Sequence, residues 1–87
     1  MEIREEVQEF AKAMEKELQE KDEKYGTKGW KDMPNAFIQR KLTEEYAELI
    51  IGMINEDTEN ILEEAPQVAA LCMMIYDNNK EWLSWGL

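Results

Sequence analysis

Apolar residues recur at spacings of three and four from the start of the chain: Val7, Phe10, Met14 and Leu18, with Ala11 beside them. A stripe of this kind, set against a face of Lys and Glu, is the pattern of an amphipathic helix. Opposite charges one turn apart, such as Glu17 and Lys21, support it. The spacing predicts a helix over residues 2–24, fading near Tyr25 because Gly26 and Gly29 follow. Residues 25–34 read as a loop, and Asp32 and Pro34 as the start signal of a second helix, since proline fits a first helical turn. There the period returns in Ile38, Leu42, Tyr46, Leu49 and Met53, flanked by Ile50 and Ile54. It breaks at residues 55–58, where Asp57 or Thr58 suits an N-cap. A third helix is expected over residues 59–79, with Pro66 as a kink or a break, because proline removes one backbone donor and clashes with the preceding turn.

Residues 68–76 carry no charge and are apolar nearly all the way round. A helix apolar on every side must be buried on every side. Three helices in so short a chain do not surround it, so a subunit interface is expected to cover part. Trp82, Trp85 and Leu87 in the tail are expected to pack against a neighbour or the bundle end. No stretch alternates with strand period. The fold class is therefore all-α, an antiparallel helical bundle completed by homo-oligomerisation.

Length and charge narrow the function classes. The 87 residues are expected to form a single domain, 1–87, whose thin core gains from self-association. A net charge of -10, with 20 acids against 10 bases, argues against a nucleic-acid partner. The chain has no histidine and one cysteine, so zinc, haem and histidine acid–base chemistry are poor fits. Cys72 lies in the apolar stretch and is expected to be a small buried hydrophobe. No segment approaches the ~20 apolar residues of a membrane span, and the charged N-terminus lacks a signal-peptide core. A soluble, cytoplasmic chain with no membrane partner is the expectation.

Chemistry points to the acids. On the second helix Glu44, Glu45 and Glu48 form Glu-Glu-x-x-Glu. Taking Leu42 as the apolar direction, Glu45 sits about 60° to one side and Glu48 about 120°, while Glu44 points nearly opposite. Gly52 continues their face one turn on and leaves space there. On the third helix Glu64 and Gln67 share a face. Two acids from one helix facing an acid and an amide from another offer four oxygen ligands, a partial shell that suits Mg²⁺ with water and phosphate oxygens completing it. The plain alternative is that each Glu cluster is a solvated helix face.

Glu-Glu-x-x-Glu on one helix and an acid on the next, with residues 49–63 between Glu48 and Glu64, resembles the all-α nucleoside triphosphate pyrophosphatase superfamily that includes the MazG-like proteins. The resemblance covers roughly residues 5–80, including the Trp30 loop, Glu64-Ala65-Pro66-Gln67-Val68-Ala69 and Met73-Met74-Ile75-Tyr76-Asp77-Asn78. It implies helical dimers or tetramers that bind Mg²⁺ and split a nucleoside triphosphate into monophosphate and pyrophosphate. Carried over by position, Glu45, Glu48 and Glu64 match metal ligands, and Glu44 matches the leading acid. Glu44 or Glu45 is the candidate base for the attacking water. Gln67 stands where the superfamily has Asp, Ala70 where Asn is common, and Pro66 where a helix-compatible residue is expected. Gln67 keeps an acceptor oxygen without the charge, so a divalent ion is expected to be held more weakly.

Lys28 and Lys31 are candidates to neutralise phosphate or simply to be solvated, Trp30 to stack on a base or plug the bundle, and Asp77 and Asn78 to reach ribose or base or to cap the helix end. Two other readings stay open at this point. One is a catalytically weakened homologue that binds nucleotide or metal; the other is a non-enzymatic helical interaction module.

Overall fold

A computed structural model describes residues 1–81. Helix α1 spans Glu5–Tyr25, α2 spans Asn35–Ile54 and α3 spans Thr58–Asn79, with a 3-10 turn over Gly29–Asp32 between the first two. The expected boundaries hold to within a few residues. Pro34 precedes α2 with extended backbone, and Asp57 caps α3 by accepting the Asn60 N–H at 3.2 Å. The helix runs unbroken through Pro66, whose ring is buried, so no break occurs there. Trp82, Trp85 and Leu87 lie outside the described residues.

The chain runs up, down and up. The connection between α2 and α3 is only residues 55–57, which forces them antiparallel, and Glu56 turns the chain with a left-handed φ of 55°. Residues equally far on either side of Glu56 then lie at equal height. Gly52 and Asn60 are one such pair: a Cβ on Gly52 would come within 2.5 Å of the Asn60 Nδ2. The space expected beside Gly52 is thus filled by Asn60, which donates to the Glu48 carbonyl at 3.1 Å. Farther out Ile38 and Met74 pair in the same way, and they are the largest fully buried side chains. Burying each contributes about 1.5–3 kcal/mol.

At the other end a polar clamp fixes the loop. The Trp30 indole N–H donates to Asp77 Oδ2 at 3.1 Å, and the Asn78 amide donates to the Trp30 carbonyl at 3.1 Å. Lys31 and Lys80 both ion-pair with Asp77. This brings the end of α1 and the start of α2 beside the end of α3. Leu18, Trp30, Ile38, Ala70, Leu71 and Met74 form the core, with Met14, Met33, Leu42 and Met73 packed on it.

Helix α3 contacts both other helices, whereas α1 and α2 barely meet. A cleft opens between them, floored by α3. Three helices leave much apolar surface uncovered. Val7 and Phe10 on α1, Tyr46, Met53 and Ile54 on α2, and Leu62 and Tyr76 on α3 are all exposed. Cys72 is exposed as well, contrary to expectation, because it shares the open side of α3 with Ile75 and Tyr76, away from both neighbours.

Candidate metal centre and cleft

The antiparallel register explains the site. Glu48 and Glu64 stand equally far from Glu56, so they meet across the helix pair, and Glu45 enters one turn along. One ligand oxygen from each of Glu45, Glu48 and Glu64 lies within 4.8 Å of the others. Glu48 is exposed, Glu45 half-buried and Glu64 buried at 6% exposure. Such spacing is close to the ~3–4 Å between ligand oxygens around an octahedral ion with bonds of about 2.1 Å.

Chemistry tests the fit further. The Oε2 atoms of Glu45 and Glu64 are buried and have no hydrogen-bond partner. Ionised carboxylates only accept, so three of them cannot satisfy one another. A proton or a cation must enter. In the metal-free protein the proton goes to Glu64: its carboxyl is pushed up to about 8, chiefly by burial, then by hydrogen bonding and repulsion from Glu45 and Glu48. An all-oxygen set of this kind favours a hard divalent ion such as Mg²⁺. Gln67 is the partner of Glu45 in the same register, and the two line the cleft together.

That cleft has a volume of about 320 Å³. Its α1 wall carries Glu17, Glu20, Lys21, Lys24 and Tyr25. Across from it α2 contributes Phe37, Lys41 and Glu45, and Gln67, Leu71 and Met74 of α3 form the floor. Burial, then the neighbouring Glu20 charge, raises the Glu17 carboxyl above its ordinary value. Lys24 lies 5.1 Å over the Tyr25 ring, and Lys41 lies 5.9 Å over that of Phe37. Sequence reasoning missed these lysines and rings. Their signal was the four-residue spacing of Phe37, Lys41 and Glu45, which puts the three on one line of α2.

Several expected site residues sit elsewhere. Glu44 is outside the carboxylate group; it is exposed and pairs with Lys41 at 3.6 Å, because its direction on α2 is away from α3. The Trp30 ring is a plug at 8% exposure, leaving little of it to meet a base. Lys31, Asp77 and Asn78 are spent on the clamp, and the Asp77 carboxyl is held far below the usual range by Lys31, Lys80 and the Trp30 N–H. Lys28 is exposed, with left-handed backbone, its N–H donating to Asp22 at 3.0 Å. None of these residues lines the cleft.

Acids gathered by two antiparallel helices beside a charged cleft, in an all-helical chain, define the class of the all-α nucleotide pyrophosphatases. The sequence bears this out. The chain belongs to the phosphoribosyl-ATP pyrophosphohydrolase family, whose model matches residues 3–69 and so takes in α1, α2 and the acid-bearing half of α3. No curated protein and no solved structure matches the chain. Family membership makes pyrophosphohydrolysis of a nucleotide the activity to account for, and no helix among the described residues is long and apolar enough to cross a membrane.

Proposed function

We propose that the chain hydrolyses a nucleoside triphosphate to the monophosphate and pyrophosphate, with Mg²⁺ held by Glu45, Glu48 and Glu64. The observation that carries this reading is the convergence of those three carboxylates, two of them with buried oxygens that lack a partner. When bound, the ion would neutralise phosphate charge and polarise a water for attack. The remaining work falls to the chain. Glu45, facing the cleft, accepts the proton of the water as its oxygen bonds to the α-phosphorus and the bond to the bridging oxygen breaks. Pyrophosphate leaves with that oxygen. Lys21 and Lys41 balance charge from the two walls, and Gln67 supplies an amide oxygen beside Glu45.

The decisive assay is pyrophosphate release across canonical and modified nucleotides, with phosphoribosyl-ATP included because the family is named for it. Turnover that disappears with a chelator and with Glu48→Ala supports the reading. No release from any of them at millimolar Mg²⁺ contradicts it.

A second reading rests on Gln67, an uncharged ligand opposite Glu45: a weakened enzyme that binds its nucleotide and turns it over slowly. Gln67→Asp then raises activity markedly, and an unchanged rate in an active parent removes this reading. The exposed apolar residues on all three helices support self-association as a dimer or tetramer.

A further inference from the structure

The two walls of the cleft repeat one order of side chains. On α1, Glu17, Lys21 and Tyr25 follow at four-residue steps toward the Trp30 loop. On α2, Glu45, Lys41 and Phe37 follow at the same steps toward the same loop, because α2 runs the other way. Each step is about 6 Å along a helix. Acid, lysine and ring therefore recur in the same order toward the loop on both walls, each series spanning about 12 Å.

We infer that this layering orients a nucleotide lengthwise, with its phosphates between the acid and lysine layers and its base between Tyr25 and Phe37. The inference rests on the nucleoside triphosphate reading and adds which end of the substrate goes where. A metal-bound phosphate chain belongs with the acids, its remaining charge with the lysines, and a flat base with the rings, where stacking contributes about 1–3 kcal/mol. Met33 and Met74 add apolar lining there, while Lys24, over the Tyr25 ring, and the Tyr25 hydroxyl are the polar groups a base would meet. Stacking acts on the face of any base, so nucleotides as a class are favoured over a bare phosphate chain. Trp30 takes no part, since its ring is buried and its N–H is held by Asp77.

The test compares binding of α,β-methylene-ATP, α,β-methylene-GTP and inorganic tripolyphosphate to the full chain at fixed Mg²⁺. Both nucleotides should bind about 5- to 160-fold more tightly than tripolyphosphate, the span that such stacking gives. Tyr25→Ser and Phe37→Leu should each cut the ratio of nucleotide to tripolyphosphate affinity, while tripolyphosphate binding, which also reports an intact fold, stays unchanged. Tyr25 is 41% exposed, so its replacement is tolerated even if that of Phe37 is not. Lys41→Met should weaken all three ligands together. Equal affinity for nucleotide and tripolyphosphate, or a ratio untouched by Tyr25→Ser, overturns the inference even where pyrophosphate release stands. A ratio that falls as expected, in a protein that releases no pyrophosphate from any nucleotide, upholds the layered orientation and overturns only the hydrolase reading.

Discussion

Glu64 is where burial and charge conflict most sharply. Its carboxyl ionises near 8 in the metal-free fold and near 4.5 in an ordinary environment. The folded chain therefore binds more protons than the unfolded one between those values, and its stability falls as pH rises across them. Thermal melts in chelator should show Tm dropping from about pH 5 to about pH 8, with Glu64→Gln flattening the decline. A profile of equal slope in both proteins would show that the proton does not reside there. Since a ligand must lose its proton to bind metal, Mg²⁺ affinity should rise over the same interval. At this scale the sequence was informative about which acids converge. Glu45, Glu48 and Glu64 were legible because a helical period fixes direction from spacing. Glu44 was less so: its place in the motif suggested a role that its outward direction, also readable from the period, argues against.

Helix ends and the loop clamp govern how the elements meet. Glu56 holds a left-handed turn without being glycine. Relief of that strain, about 1–2 kcal/mol, exceeds the added chain entropy of a glycine, about 0.5–1 kcal/mol. Glu56→Gly should accordingly raise Tm by a few degrees, and a lower Tm would mean that the side chain itself contributes. Trp30 both fills the core and joins the 3-10 turn to α3. Trp30→Ala should cost about 3–5 kcal/mol in urea unfolding. Trp30→Phe should cost less, chiefly the charge-assisted bond to Asp77 at about 1.5–3 kcal/mol. Helix existence and order were readable from the apolar stripes. The clamp was not, because Trp30 and Asp77 lie 47 residues apart and neither belongs to a periodic pattern. Nor did Pro66 end its helix, because packing of the surrounding turns outweighs the loss of one backbone bond.

Among the described residues, three helices leave large apolar faces uncovered. Ile54 at 74% exposure and Leu62 at 70% stand near the α2–α3 turn and would be covered by another copy. Light scattering should give a mass that is a multiple of 10.3 kDa, reduced by Ile54→Glu or Leu62→Glu. A monomer at micromolar concentration removes the self-association proposal. The uncharged run at 68–76 implied this shortage of cover from sequence, but not which residues lie open: Cys72 emerged on the uncovered side because α1 and α2 take the other two.

The proposed chemistry needs one cation held between α2 and α3. Thermal unfolding of the wild type and of Glu64→Gln, in Mg²⁺ and in NaCl of equal ionic strength at pH 8, measures it directly. The wild type should melt several degrees higher in Mg²⁺ than in NaCl, with that gain lost in Glu64→Gln. Equal melting in the two salts, or the same gain in both proteins, would contradict a cation bound by these carboxylates.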